Sequence, residues 1–209
     1  GKKLPYSFFG PLYIAKEFKK NGKIYRNMGG FVEQGNEIIS KFPIVKATNE
    51  HYYKKYSYDS DRTNFATEDH SRSIQIVELS VNNKKLQVLN LHGLYSQDKK
   101  DSERTLNQCK YILKATKRKE MPTIIVGDFN LLPDTKSIKM IDKEFRNLVT
   151  EYNIESTVPD YDHGTEPKRG RFVMDYIFVN DKIEVNNFEV IDTNISDHLP
   201  LILDFDILD

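Results

Sequence analysis

Two runs of strand-like residues, IQIVELSV (74–81) and KLQVLNLH (85–92), flank the pair Asn82-Asn83. The pattern predicts a hairpin whose turn tolerates positive φ. In the second run Leu86, Val88, Asn90 and His92 share one face, and Gln87, Leu89 and Leu91 share the other. Both faces are largely apolar, so this strand is expected to be covered on both sides. From 101 to 119 the period lengthens. Leu106, Cys109, Ile112, Leu113 and Thr116 recur at helical spacing behind Ser102, which suits an N-cap. Pro122 closes that segment, and TIIV (123–126) predicts a buried strand. A shorter helix is predicted over TKSIKMIDKEF (135–145).

FVMDYIFV (172–179) and KIEVNNFEVI (182–191) predict a second hairpin. LPLILDFDI (199–207) predicts a closing strand with Leu201, Leu203, Phe205 and Ile207 on one side, and GNEIISKFPIV (35–45) a further strand. The turn-rich segment VPDYDHGTEPKRGR (158–171) is long enough to be a functional loop. Strands interleaved with helices make an α/β sandwich. With no internal repeat, low-complexity tract or linker, one domain spanning 1–209 is expected.

Composition narrows the class. The 209 residues are 38% hydrophobic and 30% charged, as in a protein with a densely charged surface. Lys+Arg and Asp+Glu both number 31, so no global field draws the chain onto nucleic acid or membrane. Any polyanion must be held by a local patch. Cys109 stands alone, which excludes an intrachain disulfide and favours a reducing, cytoplasmic setting. No apolar run reaches the ~18 residues of a membrane span, and no signal peptide opens the chain. A monomer is the expectation.

The candidate chemistry sits at strand ends. In TIIVGDFNLLPDTKS (123–137), Asp128 and Asn130 follow directly on the buried strand, two residues apart and so expected on one face. Asp175 shares a face with Val173, Ile177 and Val179, where a carboxylate must be paired or at an open edge. ISDHLPL (195–201) offers His198 behind Asp197, and His92 ends its strand at NLHG. An Asp–His pair would fix the imidazole tautomer and keep it cationic near neutrality. Each string alone has an ordinary reading: a turn after a strand, an Asx-turn, a structural ion pair, an edge histidine.

Taken in order, GNEIISKFPI … LNLHG … GDFN … MDYIF … SDHLP resembles the endonuclease/exonuclease/phosphatase superfamily of pancreatic-deoxyribonuclease-like phosphoesterases, from about residue 29 to 207. The resemblance implies a four-layer sandwich, two mixed β-sheets face to face with helices outside. It also implies Mg²⁺-assisted in-line attack of water on a phosphodiester or phosphomonoester, with Mn²⁺ as a substitute ion. By the resemblance, Asp128 activates the water, Asn130 holds the phosphate, and His92 and His198 stabilise charge at phosphorus. Asp175 is the partner of His198, and Asp197 the acid close to the metal.

The same resemblance implies two earlier strands, one ending in Gln-Glu whose Glu is the principal metal ligand. These would precede GPLYIAKEF. The chain is therefore expected to be a fragment lacking about 50 N-terminal residues, inactive by itself, with neither Glu33 nor Glu37 replacing that ligand. Lys168, Arg169 and Arg171 are candidate phosphate contacts just before the Asp175 strand. HYYKKYSYDSDR (51–62) interleaves tyrosines with lysines as single-strand binders do, though an amphipathic strand or loop explains it as well. The cluster KATKRK (114–119) reads as a solvated helix end. The expectation is a metal-dependent phosphoesterase acting on a phosphoester substrate, with nuclease ahead of lipid or inositol phosphoesterase. Its rival is a non-catalytic binding module of the same fold.

Overall fold

The computed structural model describes residues 4–20, 23–58, 70–116, 120–159 and 172–208. Two long strands open the chain, β1 (Tyr6–Lys20) and β2 (Lys23–Ser40), paired antiparallel as a ribbon. β3 (Ile44–Tyr53), β4 (Arg72–Val81) and β5 (Lys84–His92) follow as an antiparallel meander. The expected hairpin is β4–β5, and Asn82 and Asn83 both adopt positive φ in its turn, at 50° and 68°. α1 (Glu103–Ala115) then crosses over to β6 (Thr123–Asp128), which lies parallel to β5.

α1 begins where Ser102 and Thr105 cap each other reciprocally, Ser102 Oγ accepting from Thr105 N and Thr105 Oγ1 accepting from Ser102 N. It buries Cys109 and Ile112 against the sheet. α2 (Lys136–Asp142) starts at the Thr135 cap, and Asp101 ties its first turn to α1 by accepting from Lys136 N and Ser137 N. β7 (Arg146–Asn147), the short helix α3 (Leu148–Glu151), β8 (Asp175–Val179), β9 (Ile183–Val190) and β10 (Leu201–Ile207) complete the chain.

The central sheet has the order β3-β4-β5-β6-β8-β7 and is mixed, parallel at β5–β6 and antiparallel elsewhere. Two antiparallel ribbons, β1–β2 and β9–β10, bring Phe8, Ile38, Val185, Leu201, Leu203, Phe205 and Ile207 against the same core that α1 and α2 cover with Ile112, Ile138 and Ile141. The architecture is an α/β sandwich. Polar side chains register one ribbon on the sheet. Gln75 Nε2 donates to Phe8 O and Asn36 O, while Asn90 donates to Gln75 Oε1.

Two expected elements are organised differently. The run 35–45 is not one strand, because the Ser40 side chain accepts from Phe42 N at 2.8 Å and turns the chain. Pro43 follows, and the residues beyond join another sheet. Nor do 172–179 and 182–191 form a hairpin. β8 pairs with β6 and β7 in the central sheet, and β9 pairs with β10. At the divergence Asn180 stitches β8 to the start of β6, Oδ1 accepting from Thr123 N and Nδ2 donating to Met121 O. Strand alternation marks a face and leaves the partner open.

Candidate active site

Register builds the site. His92 pairs with Asp128 across β5–β6, and Asp128 with Asp175 across β6–β8, so three ionisable residues stand in one row at the sheet edge. Gly127 permits the close approach of β5 and β6 there. Its φ is +139°, and a Cβ would collide with Leu91 O. Phe129 then dives into the core, edge-on to Tyr176 and Phe178 with ring centroids 5.4 Å away in each case.

Asp128 and Asn130 do meet, but by a turn rather than by strand alternation. β6 ends at Asp128, and Asn130 takes the left-handed conformation with φ 55°. Asn130 N donates to Asp128 Oδ1 at 2.7 Å and Asn130 Nδ2 to Asp128 Oδ2 at 2.9 Å. Both carboxylate oxygens are thereby oriented by one neighbour, as an Asx turn does. Both residues lie at the core's mouth as expected, but the turn, not a shared strand face, brings them together.

Asp175 and His198 form the pair expected of them, with His198 Nδ1 at 2.8 Å from Asp175 Oδ2. That bond pushes His198 up to about 9 against the effect of its own burial. The same Asp175 oxygen accepts from Thr157 Oγ1 at 2.7 Å. Thr157, fully buried, also accepts from Met174 N and Asp175 N, and its carbonyl takes Leu199 N. It thus binds the β8 strand to the segment bearing His198. Nothing in the string around Thr157 announces this.

Asp128 is raised to about 6, first by burial and second by the Asp175 carboxylate, with His198, Asn130 N and Lys99 pulling the other way. His92 Nε2 lies 3.6 Å from Asp128 Oδ2, a contact without hydrogen-bond geometry. Its imidazole is held below the usual histidine range, by burial first, then by Arg72, His198 and Lys99. With 40% of the side chain open to solvent the burial effect is tempered, but the three cations act in the same sense. His92 is therefore held as a neutral imidazole here, in contrast to His198.

Two cations are residues the sequence reading missed. Arg72, 4% exposed at the start of β4, donates from Nε to Gly93 O at 2.8 Å, directly behind His92. Lys99 donates to Asn130 Oδ1 at 2.6 Å. Asp197 is exposed beside His198 and acts on it electrostatically. Glu33 accepts from Tyr56 OH, and Glu37 is exposed on β2; neither joins the cluster below. Lys168, Arg169 and Arg171 lie outside the described residues. The tyrosines of 51–58 are largely used internally, Tyr52 donating to His92 O and Gln108 Oε1, Tyr56 to Glu33, and Tyr58 packing on Phe31.

Asp128, Asp175 and His198 each offer a ligand atom within 4.8 Å of the others, a cluster that can hold a metal ion. The two carboxylates of the cluster fit a hard divalent cation, which favours oxygen donors over the imidazole of its third member. His198 Nδ1 is already committed to Asp175, and the proximity of Asp128 and Asp175 leaves them mutually repulsive. A cation between the carboxylates would relieve that repulsion.

The fold is an α/β sandwich that sets an aspartate–asparagine turn beside an Asp–His pair at one edge of the central sheet. The chain matches the Endonuclease/Exonuclease/phosphatase family over residues 3–198 and belongs to it. That family is one of metal-dependent hydrolases of phosphoesters. Among solved structures, the chain is similar to the endonuclease/exonuclease/phosphatase from Bacteroides vulgatus, with TM-score 0.65 and 16% identity over 97% of this chain and 76% of that one. It is also similar to the mannosyl-6-phosphatase Bt3783 of Bacteroides thetaiotaomicron, with TM-score 0.63 and 15% identity over 97% and 78%. TDP2 of D. rerio, solved with a single-strand DNA product, gives TM-score 0.65 and 14% identity over 96% and 76%. At these identities the likeness is one of fold. No curated protein matches the sequence. Among the described residues no helix is long and apolar enough to cross a membrane.

Proposed function

We propose that this chain hydrolyses phosphoester bonds with the help of a divalent cation, Mg²⁺ or in its place Mn²⁺, within a single domain. Nucleic-acid phosphodiesters are the first substrate class to try. The observation that carries this reading is the joining of the Asp128–Asn130 turn to the Asp175–His198 pair through the β6–β8 register.

Asp128 is the base. A carboxylate raised to about 6 is ionised near neutrality yet basic enough to take a proton from attacking water. Its orientation comes from Asn130, whose second Nδ2 hydrogen remains for a phosphoryl oxygen. His198, kept cationic by Asp175, stabilises the charge that builds on the phosphoryl oxygens. His92, as a neutral ring, supplies an N–H donor without adding charge. Asp175 would hold the cation beside Asp128, with Asp197 as an additional carboxylate at the rim. When bound, that ion would polarise the phosphoryl group and neutralise the departing oxygen.

The test is a divalent-metal screen of the full-length protein against DNA, RNA, sphingomyelin, a generic phosphodiester and a phosphomonoester. Chelator-sensitive hydrolysis that disappears in Asp128→Asn is expected. A protein that binds these ligands and turns none over with any metal would instead be a binding module.

A further inference from the structure

The loop between β5 and α1 delivers a lysine into the site by a conformation lysines seldom adopt. Lys99 has φ 56°, in the left-handed region that non-glycine residues seldom occupy. The surroundings impose it. Lys99 N donates to Ser96 O at 3.3 Å, and the Lys99 carbonyl accepts from Leu132 N at 3.1 Å, which pins this loop to the chain just beyond Asn130. Asn130, also left-handed with φ 55°, faces it. From this arrangement Lys99 Nζ reaches Asn130 Oδ1 at 2.6 Å while standing 3.7 Å over the centre of the Tyr95 ring. Both Lys99 and Tyr95 are half-buried.

A neutral donor would suffice to satisfy the Asn130 carbonyl. An ammonium brings more: three N–H groups, one of them on Asn130, and a full positive charge that is felt at Asp128 and His92. The Tyr95 face supports that charge at little desolvation cost. Arg72 is buried with Nε on the Gly93 carbonyl and does not reach an anion in the opening, while His198, bonded to Asp175, approaches it from the β8 side.

We propose that Lys99 is a phosphate-binding cation of this site alongside His198, moving from Asn130 Oδ1 to a non-bridging oxygen of the substrate while Asn130 keeps Asp128 oriented. This deepens the phosphoesterase reading and rests on it for the identity of the ligand. The shared ligand chemistry is a tetrahedral phosphoryl anion. Because a phosphomonoester carries up to one more charge than a diester, loss of the ammonium weakens monoester and free-phosphate binding most.

The experiment compares wild type, Lys99→Met and Lys99→Arg in the full-length protein, using two readouts. The first is steady-state hydrolysis of whichever phosphoester the metal screen yields. Lys99→Met is expected to raise KM about 10-fold or more with a smaller change in kcat, and Lys99→Arg to restore most of it. The second is binding of inorganic phosphate, by calorimetry with chelator present, expected to weaken about 10-fold in Lys99→Met and to recover in Lys99→Arg. A fall in kcat at unchanged KM, with phosphate binding intact, would make Lys99 only a positioning residue for Asn130 and overturn the proposal. If wild type hydrolyses nothing, the phosphoesterase reading fails by itself. Phosphate binding still decides on Lys99, since equal affinity in wild type and Lys99→Met rejects it.

Discussion

Asp175 Oδ2 receives two side-chain donors at once, Thr157 Oγ1 at 2.7 Å and His198 Nδ1 at 2.8 Å. The carboxylate is therefore fixed before any ligand arrives, and His198 is fixed through it. Electrostatics and geometry act together here: the hydrogen bond that orients the ring also keeps it protonated.

That protonation predicts a pH dependence of stability. The folded-state value of His198, about 9, lies above the ordinary histidine value of 6.5. The stabilisation is fully present below pH 6.5 and is lost as the pH rises through about 9. A shift of this size corresponds to about 3 kcal/mol as an upper figure. Urea melts between pH 6 and 10 should show the decline, and Asp175→Asn should flatten it. The same variant should bring the His198 imidazole back towards the ordinary histidine range by NMR. Turnover should fall by roughly 10²-fold or more.

Asp128 has the opposite balance of stability and use. Its carboxylate is disfavoured by burial and by Asp175, so Asp128→Asn removes a cost along with the base. Melting experiments at pH 7 should find this variant as stable as wild type or up to about 2 kcal/mol more so, despite its loss of turnover. Substrate affinity should persist. A destabilised Asp128→Asn that also binds poorly would mean that the Asn130 turn depends on the charge itself.

Arg72 is predicted to act from behind. Arg72→Met removes a charged donor from the Gly93 carbonyl and should cost about 2 kcal/mol in a denaturant melt. It also removes one of the cations that depress His92, whose titration by NMR should move up. An unchanged His92 titration would assign that depression to burial alone.

A divalent cation should stabilise the fold through the two carboxylates. Thermal melts with increasing Mg²⁺ or Mn²⁺ should rise and return with chelator. At one hundred times the dissociation constant the gain is about 2.7 kcal/mol. The Asp128→Asn, Asp175→Asn double variant should not respond. An identical rise in that variant would place the cation elsewhere.

Much of this was written locally in the chain. The β4–β5 hairpin follows from two strand-like runs around Asn82-Asn83, and α1 from its apolar spacing behind Ser102. The strand-end location of His92 and Asp128 follows from where each apolar run stops, whereas Asp175, expected inside the run 172–179, stands at the first position of β8. These are features of period and capping, which depend on residues a few positions apart.

What the tertiary structure decided is everything that depends on partners far along the chain. Nothing in FVMDYIFV says that it pairs with β6 and β7 rather than with the strand that follows it. Yet that pairing is what sets Asp175 beside Asp128. Thr157, Arg72 and Lys99 carry no motif; each matters through hydrogen bonds to residues far along the chain. His92 is of an expected residue type, but its charge is set by burial and by cations from three separate segments. The sequence by itself determines which side chains of catalytic type lie at the strand ends. Their register, protonation and supporting contacts arise only when the strands pair, because a through-space field and a cross-strand hydrogen bond have no counterpart in local sequence.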